Sequence, residues 1–236
     1  MKTSHLFITA TALIMLLQSA HAETLFRPRA VLGYAAYDLT AGASDLASSN
    51  YTTLGVGATL ARDQFYVDAI VANTLNARYD NHDTDTVEDF SRQDVTLTVG
   101  MLLEDLSVFS GYKTGHTHYS NLAPGVSSTF NTDGLFVGAL LAFPLGNNLL
   151  TLNAALVSMN GHWKLNSISL PINADAETLG MSLGMAYTLY LSDTLGFLFK
   201  GAYQSYHFKN WNDSSATIPD IDETIVSVDA GYFVNF

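Results

Sequence analysis

The stretch that decides the fold is the end of the chain, Ile225-Val226-Ser227-Val228-Asp229-Ala230-Gly231-Tyr232-Phe233-Val234-Asn235-Phe236. Every second residue counted back from Phe236 is apolar, and the residues between them are mostly polar or small. A period of two residues is that of a β-strand, whose side chains point alternately to its two faces. The chain therefore ends on a strand with one fully apolar face. An ordinary C-terminal edge strand of a soluble β-sandwich has the same pattern.

The other end of the chain has the three parts of a secretory signal. Lys2 is followed by the apolar run Leu6–Leu17 and by Ala20-His21-Ala22, which has the small residues that a signal peptidase needs. The run is shorter than the roughly 20 apolar residues of a membrane-spanning helix. We expect residues 1–22 to be a signal peptide and residues 23–236 to form one exported domain.

The composition suits a protein whose surface meets two solvents. Charged residues make up only 14% of the chain, whereas soluble domains have about 25%. The 12 Tyr and 13 Phe are enough for aromatic girdles at two membrane interfaces. The chain has no Cys, which excludes disulfides and thiolate chemistry, and its net charge of −12 argues against nucleic acid as a partner. No Walker or Rossmann fingerprint occurs, and we expect no cofactor and no metal site.

Alternating segments recur along the whole exported chain, and they predict about ten strands, with eight or twelve also compatible. Short polar turns alternate strictly with long polar loops. The turns fall near 61–64, 103–105, 145–148 and 191–194, and the loops are expected near 41–50, 79–90, 120–130, 162–175 and 209–222. This asymmetry is typical of an up-and-down antiparallel transmembrane β-barrel. The competing architecture is a soluble barrel of the lipocalin type, which has its apolar face inside.

Through this alternation, the loop asymmetry and the terminal Phe236, the chain resembles the small outer-membrane β-barrels of Gram-negative bacteria. The resemblance implies an all-β barrel in the outer membrane, a monomer surrounded by lipid and lipopolysaccharide. It also implies that the barrel-assembly machinery reads Phe236 as a membrane-insertion signal. It does not identify a subfamily.

If the apolar face of each strand points outward, the alternation of side chains along the strands places charges of both signs in the lumen. The predicted lumen charges are Asp68, Arg78, Arg92, Asp94, Lys113, Lys200 and Asp229. In a narrow barrel such charges either pair and seal the interior or line a narrow, selective channel. A general-diffusion porin needs about 16 strands and is excluded for a single chain. The expected function is therefore non-enzymatic: a narrow, porin-like channel or a structural envelope protein.

One segment suggests an enzyme instead. His118-Tyr119-Ser120-Asn121 resembles the His-x-Ser-Asn segment of outer-membrane lipid hydrolases, the lipid A deacylases and phospholipases. The resemblance implies Ser120 as nucleophile and His118 as base for acyl transfer. The third residue of the triad has no clear match, because Thr132 stands at the expected spacing, and Asn131 and Asp133 each require a shifted register. His116 and His118 are expected to face outward, where both also fit as interfacial polar groups.

Two further expectations concern the loops. Trp211 lies in the predicted loop 209–222 and is expected at the lipid interface, although exposed loop aromatics also suit binding to a partner. His82, His162 and His207 have no neighbouring partner in the sequence. Surface adhesion through the outer loops is the third functional alternative.

Overall fold

The computed structural model of the protein describes residues 24–42, 44–81, 86–123, 126–166, 172–212 and 218–236. The predicted signal peptide and His82 lie outside these residues. The described chain consists of ten strands: β1 (Thr24–Ala41), β2 (Ser44–Arg62), β3 (Phe65–Asn81), β4 (Thr86–Leu103), β5 (Leu106–Ala123), β6 (Val126–Leu145), β7 (Asn148–Asn166), β8 (Ile172–Tyr190), β9 (Leu195–Asn212) and β10 (Ile221–Val234). Within it there is no helix long and apolar enough to span a membrane.

The ten strands form one closed, antiparallel barrel in which each strand pairs with its neighbours in sequence and β1 closes on β10. The predicted strand number of ten is confirmed, and eight and twelve are wrong. The four predicted turns are also confirmed, and three of them contain a residue with left-handed backbone, Asp63 (φ 54°), Glu104 (φ 55°) and Gly146 (φ 64°). Left-handed residues match the twist of two-residue hairpins. The end of the barrel with these turns and both described termini is called the turn end, and the opposite end the loop end.

The strands are longer than expected and leave little of the predicted long loops. They have 14 to 20 residues, whereas about 9–11 suffice to cross a membrane at the usual tilt. For example, β7 continues to Asn166 and β8 begins at Ile172. The two strands therefore include most of the predicted loop 162–175. The predicted loop bounds are therefore wrong, because strand pairing continues well beyond the apolar surface.

The outward side chains divide the barrel into two halves. Next to the turn end lies an apolar belt of exposed residues, such as Leu183 and Val137, to which every strand contributes. The belt ends toward the loop end at Tyr34, Leu54, Val71, Val95, Tyr112, Leu135, Leu156, Leu179, Tyr203 and Val226. Beyond this margin the outward side chains are mainly polar, among them Asp38, Gln93, His116, Asp133, Asp175 and Asp222. We call the two parts the turn half and the loop half.

The apolar side chains change faces where the two halves meet. On β8 the exposed residues Leu179, Met181, Leu183 and Met185 point outward in the turn half, whereas Ile172, Ala174 and Ala176 are buried inside the loop half. On β10 Val226 and Val228 are exposed, but Ile221 and Ile225 are buried. The turn half thus has the polarity of a membrane barrel. The loop half has an apolar interior and a polar exterior, the polarity of the soluble barrel that the sequence left as an alternative.

Candidate functional site: the lumen

An aromatic cluster fills the interior of the loop half. Phe90 is at the centre of one part, with ring centroids 5.7 Å from Tyr37, 5.0 Å from Tyr51 and 5.3 Å from Tyr119. The other part is built on Phe130, whose ring is 5.0 Å from that of Phe208. Further members are Trp163, Tyr206 and Trp211. Apart from Ala36 beside Tyr37, the outward neighbours of these rings on their strands are polar. The buried rings fill the lumen at the loop end.

Trp211 corrects an expectation from the sequence. Its ring lies 6.2 Å from the rings of Phe130 and Trp163, within the aromatic cluster. The prediction of a lipid-interface position is wrong. The physical reason is that β9 runs to Asn212, so Trp211 belongs to the end of a strand that covers an apolar interior.

A buried ionic layer lies beneath the aromatic cluster. Arg92 Nη1 donates a hydrogen bond of 2.7 Å to Glu223 Oε1 and one of 2.9 Å to Thr117 Oγ1, and Nε and Nη2 bind both oxygens of Asp94 at 2.9 and 3.0 Å. The side chains of Arg92 and Glu223 are 1% and 0% exposed. The guanidinium also lies 5.2 Å from the ring of Tyr37. Five donors in a fixed planar arrangement let one arginine bind two carboxylates on different strands.

Further polar contacts continue toward the turn end. Lys113 Nζ donates to the amide oxygen of Gln204 and, at 3.2 Å, to the hydroxyl of Tyr206. Arg29 binds both oxygens of Asp68 at 2.7 and 2.8 Å. Within the described side chains, four basic and four acidic groups face the lumen in the body of the barrel: Arg29, Arg92, Lys113 and Lys200 with Asp68, Asp94, Glu223 and Asp229. The described charges in the body of the barrel are therefore balanced, and Arg27 adds one basic group at the turn end, although the whole chain has a net charge of −12.

A cavity of about 470 Å³ occupies the lumen of the turn half. Its wall on β5 and β6 includes the apolar Phe109, Phe136 and Leu140. Polar side chains come from β4, with Thr96 and Thr98, and from β7, with Thr151 and Asn153. Lys200 on β9 lines the cavity opposite the apolar wall and, unlike Lys113, is exposed. Among the described residues Lys200 has no carboxylate within 4.0 Å, and its register partner on β10 is Asp229.

The turn end is closed on one side and open on the other. Near β9, β10 and β1, the guanidinium of Arg27 lies 4.6 Å from the ring of Phe233 and donates to Asn235 at 2.7 Å. Near β4, the inward side chain of Leu102 lines the cavity and is 41% exposed. The cavity therefore opens at the turn end and is blind at the loop end.

The structure brings most of the predicted lumen charges together. Asp68, Arg92, Asp94, Lys113, Lys200 and Asp229 all occupy inward positions. Arg78 lies beyond a β-bulge of the β2–β3 pair, where Thr53 pairs with Thr74 and Thr52 with Asn76. Arg78 then pairs with Asn50 and Asp89, which belong to the outward register. Its side chain lies outside the described part of the structure.

Sequence reasoning missed Arg29 and Glu223, the partners of Asp68 and Arg92. Both have odd numbers on strands whose odd positions face inward, as Asp229 does on β10. Following the alternation of inward and outward positions to the ends of β1 and β10 identifies both residues. The ion pair between Arg92 and Glu223 joins distant parts of the barrel wall. It depends on closure of the barrel, and no local sequence pattern predicts it.

The predicted hydrolase residues lie on the outer surface of the loop half. His118 pairs with Thr129 on β6, and its Nδ1 lies 3.3 Å from Thr129 Oγ1. Asp133 pairs with Thr114 and accepts a hydrogen bond of 2.9 Å from the hydroxyl of Tyr112. Thr114 and His118 are four positions apart on β5, about 13 Å along a strand. The register therefore does not bring Asp133 beside His118.

Histidines that are isolated in the sequence have acidic partners across strands. His162 Nδ1 lies 2.6 Å from Asp175 Oδ1, and His207 Nδ1 lies 2.5 Å from Asp222 Oδ1. His116 is bonded to Asn131 in the same way. All three pairs are outward and just beyond the apolar belt. Among the residues described, no group of three His, Cys, Asp or Glu side chains is arranged to hold a metal.

Solved structures show which proteins share this architecture. The outer-membrane protease OmpT from Escherichia coli superposes with a TM-score of 0.63 at 10% identity, covering 93% of this chain and 99% of that one. The fold is that of Gram-negative outer-membrane β-barrels. The translocator domain of the autotransporter NalP from Neisseria meningitidis also matches, with a TM-score of 0.50, 12% identity and coverage of 97% and 95%. No protein-family model and no curated protein matches the sequence.

Proposed function

We propose that the protein is a non-enzymatic structural barrel of the Gram-negative outer membrane, with a lumen sealed against ions. Its apolar belt would be surrounded by lipid, and its loop half would project beyond lipopolysaccharide to the cell exterior. In this orientation the turn end faces the periplasm, where the short turns of such barrels lie. The fold alone does not assign the function, because related barrels include proteases, translocators and channels.

The observation that supports a sealed barrel is the succession of buried layers in the loop half. The aromatic cluster around Phe90 and Phe130 has almost no exposed surface. Arg92 and Glu223 beneath it are bound to each other instead of to water. A conducting path would need hydrated polar groups along its whole length, and this interior has such groups only in the turn half. The balanced lumen charges are consistent with a packed network.

Single-channel recording in a planar bilayer tests the proposal. We expect the refolded wild-type protein to give no discrete steps, and the variant Phe90→Ala/Tyr119→Ala to give small ones because it removes part of the aromatic cluster. Phe199→Ala, on the outer surface of the apolar belt, is the control and should remain silent. Discrete, ion-selective steps from the wild-type protein would refute the sealed lumen and support a narrow channel.

Contact with external surfaces is a second candidate, supported by the polar exterior of the projecting loop half. Asp133 and Asp175 are exposed there and Asp222 is half-exposed, all three on strands of the barrel. Cells that display the protein should then adhere to host cells more than cells without it. Asn at these three positions should reduce adhesion at an unchanged protein level, and equal adhesion of cells with and without the barrel would contradict this role.

A further inference from the structure

We propose that the cavity in the turn half is a binding site for a small amphiphilic carboxylate that enters from the turn end. The cavity volume, about 470 Å³, lies within the range of roughly 300–1,000 Å³ typical of small-molecule sites. Every residue of its lining belongs to the inward set of the barrel. It is therefore a compartment of the lumen and is separate from the lipid-facing surface.

The first argument is the division of the lining into two chemical sides. Phe109, Phe136 and Leu140 form a continuous apolar surface on β5 and β6. Water reaches this wall from the open end of the cavity. The fold of the barrel therefore does not require apolar side chains there. An apolar ligand body would remove this surface from water, which is favourable at about 25 cal/mol per Å².

The second argument is the charge of Lys200. The other three lumen cations have partners: Arg29 binds Asp68, Arg92 binds Asp94 and Glu223, and Lys113 donates to Gln204 and Tyr206. Lys200 is the exposed one among them. Its cross-strand neighbour Asp229 on β10 makes no salt bridge with it within 4.0 Å in the described part of the chain. Lys200 lies across the cavity from Phe109 and Phe136. An ammonium group in this position selects an anionic head.

The third argument is the geometry of access. The lumen is closed above the cavity by Arg92, Glu223 and the aromatic cluster, whereas Leu102 is exposed at the turn end. A ligand thus enters and leaves by one opening, as in a binding pocket and unlike a pore. That this opening faces the periplasm rests on the proposed function, but the binding itself does not.

The test uses the full exported protein in phospholipid nanodiscs and 4-phenylbutyrate, a water-soluble carboxylate with an aromatic body. Isothermal titration calorimetry should show saturable binding of one molecule per barrel, with empty nanodiscs as the correction for partition into lipid. Neutral 4-phenylbutanol should bind at least about tenfold more weakly, because a hydrogen bond to a charged group is lost. Inorganic phosphate, which has no apolar body, should not compete.

Variants identify the site. Lys200→Met keeps the length of the side chain and removes its charge, and it should weaken binding of 4-phenylbutyrate at least about tenfold, whereas Lys200→Arg should retain it. The matched control is Lys164→Met, since Lys164 is an exposed lysine at an outward position of β7. Ala155→Phe, which fills the cavity from β7, should abolish binding without a change of charge. Heat-modified gel mobility verifies that each variant is a folded barrel.

Three results would overturn the proposal: no saturable binding by the wild-type protein, equal binding by Lys200→Met, or equal binding of the acid and the alcohol. Effective competition by phosphate would show a simple anion site and would equally refute an amphiphile. None of these results bears on the sealed lumen, which the conductance experiment tests separately. A conducting barrel that still binds 4-phenylbutyrate at Lys200 would refute the proposed function and leave this inference standing.

Discussion

Arg92 on β4 and Glu223 on β10 join two parts of the barrel wall that are separated by β1, β2 and β3, through a hydrogen bond of 2.7 Å between fully buried side chains. The pair lies directly below the aromatic cluster and above the cavity of the turn half. It divides the lumen into a sealed outer part and an accessible inner part. The expected absence of ion conductance and the proposed binding of a ligand in the cavity both depend on that division.

The first prediction concerns this ion pair. Arg92→Met leaves the buried carboxylate of Glu223 and the half-buried carboxylate of Asp94 without their cation, and we expect a loss of about 3–5 kcal/mol in the free energy of unfolding. The double variant Arg92→Met/Glu223→Leu should lose less than Arg92→Met, because one buried charge is removed as well. Urea titration in detergent, followed by Trp fluorescence, measures both. Lys164→Met is the control, and a single variant as stable as the wild type would contradict the buried pair.

The second prediction separates the two halves of the barrel. Phe208 is 0% exposed and packs on Phe130, and Phe208→Ala should cost about 3–5 kcal/mol of unfolding free energy. Phe199→Ala removes the same ring from the lipid-facing surface on the same strand, where lipid tails refill the space, and should cost clearly less. Equal losses in urea titrations of the two variants would mean that the loop half has no apolar core.

The third prediction concerns stability at alkaline pH. Burial raises the pKa of Tyr37 and the pKa of Tyr51 above the usual tyrosine value, and for Tyr51 the charge of Arg92 partly opposes this rise. Above about pH 10 the unfolded chain loses these two protons while the folded protein keeps them. The contribution of these two tyrosines to the unfolding free energy should therefore be constant below about pH 10 and be lost as the pH rises above it.

Absorbance at 295 nm reports the ionised tyrosines in this experiment. The double variant Tyr37→Phe/Tyr51→Phe should show a smaller decrease in stability between pH 10 and 12 than the wild-type protein. Tyr34→Phe, at an exposed position of the apolar belt, is the matched control. A decrease of equal size in the double variant and the wild type would assign the alkaline effect to other groups.

The fourth prediction concerns the terminal residue. Phe236 donates its backbone N–H to the carbonyl of Phe26 at 2.9 Å and accepts from the N–H of Phe26 at 3.1 Å, so the last residue is part of barrel closure. Phe236→Ala keeps these backbone bonds and removes the aromatic ring. If assembly machinery reads the ring, the variant should accumulate less in the outer membrane of cells but refold normally in detergent. Phe143→Ala is the exposed aromatic control, and normal insertion of Phe236→Ala in cells would refute the signal.

The fifth prediction concerns the hydrolase alternative. Since Asp133 is bonded to Tyr112 and lies far from His118, we expect no acyl release from phospholipid or lipid A by the wild-type protein. Ser120→Ala should then be indistinguishable from it in an assay for free fatty acid. Release by the wild type that Ser120→Ala abolishes would show an enzyme with a different third residue.

The sequence by itself determined the class of fold, the turns between the strands and the direction of the side chains in the turn half, and it predicted about ten strands. These properties are local: a period of two, polar turn residues and a low content of charge suffice to predict a barrel with Asp68, Arg92 and Lys113 inside. The sequence did not show the β-bulge after Thr74, where one extra residue of β3 shifts the backbone register before Arg78. It also failed at the strand ends, where polar outward residues such as Asp175 and Asp222 were interpreted as loops.

Only the tertiary structure decided what the interior contains. Ile172, Tyr37 and Phe130 are apolar residues next to polar ones, and their faces are assigned only when the register relates them to the apolar belt. The contact between Arg92 and Glu223 exists because β1 closes on β10, which brings together residues 131 positions apart in the sequence. The pattern of residues within one strand reflects only which of its two faces contacts water, lipid or the interior. The division of the lumen into a filled half and an open cavity depends on side chains from all ten strands that face one another.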